Sequence, residues 1–245
     1  MIQSATLVGI GTGSPGHLTR AGEAALRSAD LILVPRKGAG KDDLADIRLH
    51  LLEQIGVTAK IAFFDYPTRD ENLPYLERVA RWHDEIARRW QQAAGPAAHV
   101  ALLVWGDPSF YDSTMRIAAR LTDQTNIRVL PGITAVQALT AAHAIPLNTV
   151  NGRILTTTGR RLREDGWPET AETVVTVLDG ECSFQSLRGQ GLYLWWGAYL
   201  GMPEQILDHG PLDEVTDRII ATRAEARARH GWIMDTYLMR AQAAE

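Results

Sequence analysis

Short β-branched apolar runs alternate with longer amphipathic stretches along the first half of the chain. The runs predict strands at residues 5–10, 31–34, 60–64, 99–104 and 127–130. Between them, apolar residues spaced by three or four positions predict helices at 18–28, 42–55 and 72–93. Because strands that alternate with helices form parallel sheets, we expect residues 1–134 to form an α/β domain with a largely parallel five-stranded sheet.

The pattern changes after Pro131 and Gly132, where strands follow one another more closely. We expect strands at 154–158, 173–178 and 191–196, and then helices at 203–208 and 214–239. Closely spaced strands favour mixed pairing, so residues 135–245 are predicted to form a second α/β domain with a mixed sheet. Two such domains predict a ligand cleft between them.

Composition and charge narrow the function classes. The chain has 245 residues, 45% of them hydrophobic, which is enough for a sizeable core. A formal net charge of -4 gives no overall attraction to nucleic acid, so no nucleic-acid partner is expected. The single cysteine, Cys182, excludes an internal disulfide framework and a cysteine-rich metal site, and no apolar run is long enough to cross a membrane. We therefore expect a cytoplasmic protein without a bound metal or a membrane partner.

Glycine clusters follow two of the predicted strands. One segment, GIGTGSPGHLT, starts at Gly9, and a second, GDPSFYDST, starts at Gly106. Glycine allows tight turns and a close approach of the backbone to a bound molecule. A dinucleotide site fits poorly, because Pro15 interrupts the glycine pattern and no acid ends the second strand. A glycine-rich turn without a ligand remains an open alternative.

The order Gly106-Asp107-Pro108 admits two interpretations. Pro108 fixes its own φ angle and biases Asp107 away from helix. The Asp107 carboxylate then either accepts hydrogen bonds and favours a nearby cation, or caps a helix that follows Pro108. Both interpretations fit these residues equally well.

These loops occur in the order and spacing of a known family. The segments GIGTGSPGHLT, GDPSFYDST and PGITAVQALTAAHAIPL resemble those of the tetrapyrrole methylases, as do FFDYPTRDE, GLYLWWGAYLGMPEQIL and RHGWIMDTYLMR. The resemblance covers nearly the whole chain and implies the two α/β domains of a class III methyltransferase. It also implies S-adenosylmethionine as the methyl donor, S-adenosylhomocysteine as its product, and a homodimer.

The resemblance places the methyl donor against residues of several loops. Thr12 stands where relatives usually have proline, and Ser14 stands where an acid is common. A turn at Trp196-Gly197-Ala198 is expected to close the pocket. Alternatively, Thr134 is only a helix N-cap and Phe110 only a core residue. The residues that the resemblance assigns to the donor are Thr12, Gly106, Asp107, Phe110, Thr134, Ala135, Leu178, Asp179 and Ala198.

The resemblance also implies a reaction on a tetrapyrrole. Precorrin-5 is methylated at C-1, its C-20 acetyl group leaves as acetate, and precorrin-6A is formed. Acetate release requires water addition and proton transfer, for which a base would serve. The catalytic candidates are His17, Asp65 and Tyr66. The carboxylates of the substrate need cations, and the candidates for binding them are Arg36, Lys37, Arg69, Arg153 and Arg160.

Other functions remain open from the sequence. The same fold would serve methylation of another precorrin, of uroporphyrinogen, of a diphthamide precursor or of an RNA ribose. A nicotinamide-dependent dehydrogenase and a noncatalytic tetrapyrrole carrier are further alternatives. Binding of S-adenosylmethionine would separate the methyltransferases from both.

Overall fold

Two units, Met1–Ile133 and Thr134–Glu245, make up the chain in the computed structural model, which describes residues 1–36 and 43–241. Each unit contains one five-stranded sheet with helices packed on it. The α/β class predicted from the sequence is confirmed. Within the described ranges, no helix combines the length and the apolar character that crossing a membrane requires.

The sheet of the first unit is parallel throughout. Its strands are β1 (Ser4–Gly9), β2 (Leu31–Arg36), β3 (Lys60–Asp65), β4 (His99–Val104) and β5 (Ile127–Leu130). Their spatial order is β3-β2-β4-β1-β5. The helices are α1 (Arg20–Arg27), α2 (Asp43–Gln54), α3 (Tyr75–Ala94) and α4 (Thr114–Ala118). The predicted strands and the first three helices are confirmed with small shifts at their ends, and α4 is additional.

Both faces of this sheet are buried. On one face Leu33 shares a core with Ile86 and Trp90 of α3, and on the other Ile32 shares a core with Leu51 of α2. Burial on both faces explains the unbroken apolar runs of the sequence. Because the strands are parallel, their carboxyl ends and the loops that follow lie at one edge, the usual ligand-binding edge of open α/β sheets.

The sheet of the second unit is mixed. Its strands are β6 (Ile154–Thr158), β7 (Thr173–Val177), β8 (Leu192–Ala198), β9 (Ile206–Pro211) and β10 (Asp235–Ala241). They lie in the order β6-β7-β10-β8-β9, and only β6 and β7 pair in parallel. The helices are α5 (Ala135–Ala142), α6 (Gly159–Asp165) and α7 (Leu212–His230).

One helix predicted in this unit is wrong, and another is predicted too long. Residues 203–208 run into the edge strand β9, and the helix predicted over 214–239 ends at His230. Gly231, with φ 72°, stops α7 in the left-handed region. The next strand, β10, is the central strand of the sheet, and residues 236–239 are buried on both of its faces. A strand that is buried on both faces does not alternate between apolar and polar residues. Its sequence pattern therefore cannot be distinguished from that of a buried helix.

A buried ion pair joins α7 to β10. Arg223 donates from Nε at 2.9 Å and from Nη2 at 3.1 Å to the two carboxylate oxygens of Asp235. The same carboxylate accepts a hydrogen bond from the Trp196 indole at 2.9 Å. The Arg223 and Asp235 side chains are only 10% and 7% exposed, so each charge depends on the other for compensation.

Asp235→Ala should leave the Arg223 guanidinium buried without its counter-ion. We expect the free energy of unfolding to fall by about 3–5 kcal/mol. Asp217→Ala is the control: Asp217 pairs with Arg188 at the surface, so its removal should cost about 1 kcal/mol or less. Urea denaturation followed by tryptophan fluorescence measures both changes. Equal losses in the two variants would contradict the importance of the buried pair.

Candidate functional site

Three glycine-containing loops interlock at the carboxyl edge of the first sheet. They lie at the ends of β1, β4 and β5 and bring Gly9, Gly106 and Gly132 together. A Cβ atom on Gly9 would lie 2.6 Å from the Gly132 nitrogen and 2.8 Å from the Gly106 carbonyl oxygen. Gly106 also exchanges two backbone hydrogen bonds with Gly11, at 2.7 and 3.2 Å. The sequence predicted that these glycines let the backbone approach a bound molecule closely. In the structure they let the backbones of the three loops approach one another.

The Asp107 carboxylate connects two of these loops. Its Oδ1 accepts hydrogen bonds from the Ser109 amide (2.8 Å) and hydroxyl (2.5 Å), and its Oδ2 accepts one from the Gly132 amide at 2.9 Å. The alternative in which Asp107 caps a helix after Pro108 is wrong, because α4 begins only at Thr114. Burial opposes ionisation of Asp107, but the hydrogen bonds from Ser109 and Gly132 outweigh it and lower the carboxyl pKa. Asp107 is thus charged at neutral pH.

The opening loop pairs Thr12 with His17. Thr12 is buried, and its hydroxyl oxygen lies 2.9 Å from His17 Nδ1. A short 3₁₀ helix, Pro15–His17, positions the imidazole, and the Ser14 hydroxyl accepts a hydrogen bond from the Gly16 amide at 3.3 Å. Burial lowers the pKa of His17, so the imidazole is neutral near pH 7. Ser14, at the position where an acid is common, caps this turn.

Phe110 lies outside the two hydrophobic cores of the first unit and is half-buried. Its amide donates a hydrogen bond to the Asp107 carbonyl at 3.1 Å, and its ring meets that of Tyr111 edge to face, with centroids 5.1 Å apart. Tyr111, at φ 51°, is in the left-handed region that non-glycine residues rarely adopt. The interpretation of Phe110 as only a core residue is therefore wrong.

The exit of β3 places Asp65 and Tyr66 in different surroundings. The Asp65 side chain is exposed, and its carbonyl accepts a hydrogen bond from Arg89 at 2.8 Å. Tyr66 stacks on Trp82 with ring centroids 5.7 Å apart. Burial raises the pKa of Tyr66, although the nearby charge of Arg48 opposes the shift. Tyr66 therefore stays a phenol at neutral pH and is a hydrogen-bond donor rather than a base.

Arg48 is a half-buried cation beside Tyr66 that sequence reasoning missed. It lies on α2, and its Nε donates to the Leu103 carbonyl at 3.4 Å. Burial lowers the pKa of its guanidinium, while the neighbouring phenol opposes that shift. The available signal was a basic residue between Ile47 and Leu49 in the predicted helix, where an apolar core position is expected.

Two of the candidate carboxylate-binding residues lie over aromatic rings. The Arg36 guanidinium is 3.6 Å from the centroid of the Phe63 ring, and the Arg69 guanidinium is 4.2 Å from that of Trp82. Arg36 ends β2, and Arg69 follows β3, which is the neighbouring strand. Both residues therefore lie near the carboxyl edge of the first sheet.

The remaining cationic candidates are exposed at the surface or lie outside the described residues. Arg160 is exposed on α6, where it lies 3.8 Å from Glu164. Arg153 is exposed at the start of β6, and its amide donates to the Glu172 carboxylate. Lys37 lies outside the described residues.

In the second unit, Thr134 caps α5. The Thr134 hydroxyl accepts a hydrogen bond from the Gln137 amide at 3.4 Å, and the Thr134 amide donates to the Gln137 side chain at 2.7 Å. Thr134 is therefore the N-cap of α5, and Ala135 is the first residue of the helix.

Asp179 is a buried carboxylate at the exit of β7. Its oxygens accept four hydrogen bonds, from the Glu181 amide (3.1 Å), the Ser183 amide (2.5 Å), the Ser183 hydroxyl (2.7 Å) and the Tyr237 hydroxyl (2.7 Å). A Cβ atom on Gly159 would collide with this carboxylate. The adjacent Leu178, in contrast, is 69% exposed, and its backbone is in the left-handed region with φ 53°.

Ala198 ends β8 and has no exposed surface. The turn predicted at Trp196-Gly197-Ala198 is wrong, because these residues pair with both β9 and β10. Gly197 is instead explained by packing, since a Cβ atom there would lie 2.9 Å from a methyl carbon of Leu139. The chain turns only after Ala198, where Tyr199 has φ 50°.

Comparison with known proteins agrees with this fold. The family profile of the Tetrapyrrole (Corrin/Porphyrin) Methylases matches residues 5–216. The chain is 43% identical over 246 residues to precorrin-6A synthase (deacetylating) of a Sinorhizobium species, and the alignment covers 96% of this chain and 94% of that protein.

Two solved structures extend the comparison. A protein from Corynebacterium diphtheriae described as related to cobalamin synthesis (CobF) matches with a TM-score of 0.80 and 36% identity, over 98% of this chain and 99% of that one. Uroporphyrin-III C-methyltransferase from Thermus thermophilus, in complex with S-adenosylhomocysteine, matches with a TM-score of 0.63 over 97% of each chain. At 17% identity, the second match concerns the fold alone.

Asp107→Asn should uncouple the two loops that the carboxylate joins. A side-chain amide can accept hydrogen bonds only at its oxygen, so one of the Ser109 and Gly132 donors is left facing an NH₂ group. We expect the free energy of unfolding at pH 7 to fall by about 1–3 kcal/mol. Asp123→Asn, at an exposed position of the same unit, is the matched control.

The effect of Asp107→Asn should also depend on pH. Because folding lowers the pKa of Asp107, its stabilising contribution is present above the unfolded-state pKa of about 3.9 and is lost as pH falls through the folded-state pKa. The stability difference between wild type and variant should therefore shrink below about pH 4. Denaturant titrations between neutral and acidic pH measure it, and a constant difference would contradict the role of the ionised carboxylate.

Proposed function

Because the chain belongs to the tetrapyrrole (corrin/porphyrin) methylases, we propose that it methylates precorrin-5 at C-1 and releases acetate. The products are precorrin-6A and S-adenosylhomocysteine. The observation that carries this proposal is the similarity, along nearly the whole chain, to the Sinorhizobium precorrin-6A synthase (deacetylating). In this proposal the protein is a cytoplasmic homodimer that acts in cobalamin biosynthesis.

The loops at the carboxyl edge of the first sheet are the proposed site for the cationic part of the methyl donor. S-adenosylmethionine supplies a methyl group on a sulfonium, which needs no nucleophilic residue of the protein to activate it. The hydrogen bonds of Asp107 are taken up by its own loops, so its effect on a bound cation is electrostatic. Gly106, Phe110 and Thr12 lie on the same loops and complete this part of the proposal.

The proposal also includes donor contacts from the second unit. These residues are Thr134, Ala135, Leu178, Asp179 and Ala198. Leu178 is the one with the most exposed side chain, whereas Ala198 offers no surface of its own. We therefore expect Leu178 to contribute apolar contact area, and Asp179 to hold the β7 exit loop through its four hydrogen bonds.

His17 is the base proposed for acetate release. In that step water adds to the acetyl carbonyl, the bond between the acetyl carbonyl carbon and the macrocycle breaks with its electron pair passing to the macrocycle, and the acetyl group leaves as acetate. A neutral imidazole can remove the proton of the attacking water. The tautomer that donates Nδ1–H to Thr12 leaves the lone pair on Nε2 for this purpose. Burial supports the neutral form by lowering the pKa of His17.

Tyr66 and Asp65 suit other roles. Burial raises the pKa of the Tyr66 phenol, which favours hydrogen-bond donation to a developing oxyanion over proton removal. Asp65 is exposed, so bulk water competes with it as a proton acceptor. These surroundings make His17 the first residue to test.

Anaerobic incubation of the protein with precorrin-5 and methyl-labelled S-adenosylmethionine should give labelled macrocycle and acetate in equal amounts. Mass spectrometry measures the label, and an enzymatic assay measures acetate. Label without acetate would indicate another precorrin methylase, and label only with uroporphyrinogen would indicate methylation of that substrate. Neither product, despite binding of the donor, would reject the proposed substrate.

His17→Gln should slow acetate release by about 100-fold, the lower range for loss of a general base. In the wild type, protonation of His17 removes the lone pair, so the rate should fall at acidic pH. Because its pKa is lowered, this fall should lie below about pH 6.5. His50→Gln, at an exposed position of α2, is the control. Equal acetate rates in wild type and His17→Gln would exclude His17 as the base.

A further inference from the structure

Arg36 and Arg69 share an arrangement that suits carboxylate binding. Each guanidinium lies over an aromatic ring, at 3.6 Å from the Phe63 centroid and 4.2 Å from the Trp82 centroid. Both arginines are exposed, so their guanidinium N–H groups can reach a ligand while the ring lies against the side chain. Carboxylates bind guanidinium groups in the plane of those N–H groups, often through two parallel hydrogen bonds.

Within residues 1–36 and 45–241, where side chains are described, neither guanidinium forms an ion pair. Two other exposed arginines of the first unit differ from them: Arg81 pairs with Glu77 at 2.7 Å, and Arg88 pairs with Glu85 at 2.8 Å. Arg36 even has an acid as its register partner, since Asp65 lies opposite it on β3. The guanidinium nevertheless lies over Phe63 and makes no ion pair with Asp65. Among the described side chains, the positive charge of both residues therefore has no acidic partner.

The ring beneath Arg69 is itself held in place. The Trp82 indole stacks on Tyr66 with an interplanar angle of 15°, and its Nε1 donates to the Pro67 carbonyl at 2.8 Å. These contacts come from the loop that carries Arg69, so loop and ring form one support. A guanidinium on a fixed support loses less conformational entropy on binding than one on a free side chain.

Three arginines contribute positive charge near His83, the residue that follows Trp82. The neighbouring His83 is buried, and its pKa is lowered first by burial and then by the charges of Arg120, Arg116 and Arg69, with Asp84 opposing them. The fixed ring beneath Arg69 is the feature of the β3 exit that favours binding through this guanidinium.

We infer that Arg36 and Arg69 bind carboxylate side chains of the tetrapyrrole substrate and orient the macrocycle at the carboxyl edge of the first sheet. The inference rests on the proposed function, because a polycarboxylate macrocycle is the ligand class that two aromatic-supported guanidinium groups match. It does not extend to Arg160, which already faces Glu164 on an exposed helix. Arg36 and Arg69 set the position of the substrate and take no part in proton transfer.

Uroporphyrin III, a stable polycarboxylate macrocycle, is the direct binding probe. Isothermal titration should show that Arg36→Gln and Arg69→Gln each weaken its binding about tenfold, the loss expected for one charge-assisted contact. Arg69→Lys, which keeps the charge but loses the planar fork, should lie between wild type and Arg69→Gln. Arg88→Gln removes the same charge from an ion-paired surface residue and should bind as wild type does. Circular dichroism confirms that the variants are folded.

Kinetics with precorrin-5 tests the same residues during turnover. Both Gln variants should raise KM for precorrin-5 about tenfold and leave the Kd for S-adenosylmethionine unchanged. The inference is overturned if the wild-type protein does not bind uroporphyrin. It is also overturned if neither substitution weakens uroporphyrin binding. Wild-type protein that binds uroporphyrin through these arginines but does not convert precorrin-5 supports the inference and rejects the proposed function.

Discussion

The carboxylate of Asp107 determines the shape of the carboxyl edge of the first sheet. It accepts hydrogen bonds from its own loop and from the loop after β5, and the interlocked glycines leave no space for these loops to be arranged differently. Thr12 and His17 lie on the loop after β1, which is bonded to the loop after β4 through Gly11 and Gly106. The loop that carries Thr12 and His17 is therefore held by backbone and carboxylate contacts rather than by either of these side chains.

In the second unit, too, a buried carboxylate holds the loop after a strand. Asp179 follows β7 as Asp107 follows β4, and each carboxylate is buried and accepts several hydrogen bonds. In each unit a glycine lies against the acid, Gly132 in the first and Gly159 in the second. A buried carboxylate is tolerated only when donors surround it, so each acid both fixes its loop and keeps a charge in a set place. Flexible surface acids provide neither property.

The sequence predicts those elements whose burial leaves a pattern in neighbouring residues, and it misses contacts between residues far apart in the chain. The strands of the first sheet were predictable because burial on both faces produces β-branched runs between amphipathic helices. β10 was not, because a central strand directly after a helix looks like its continuation. Asp107 could be selected from Gly106-Asp107-Pro108, but its partner Gly132 is 25 residues away and is reached only through the order β4-β1-β5. Likewise, charge singled out Arg69, whereas the ring of Trp82 beneath it depends on how α3 packs.

The glycine interlock has a consequence for how such an enzyme can diversify. Gly9 and Gly132 meet main-chain atoms, and no neighbouring side chain can change rotamer to admit even a methyl group. An altered residue at either position would require two loops to shift together, which a single mutation does not provide. New substrate preferences are thus expected to arise from side chains that project from this edge, while the backbone of the edge itself is inherited unchanged.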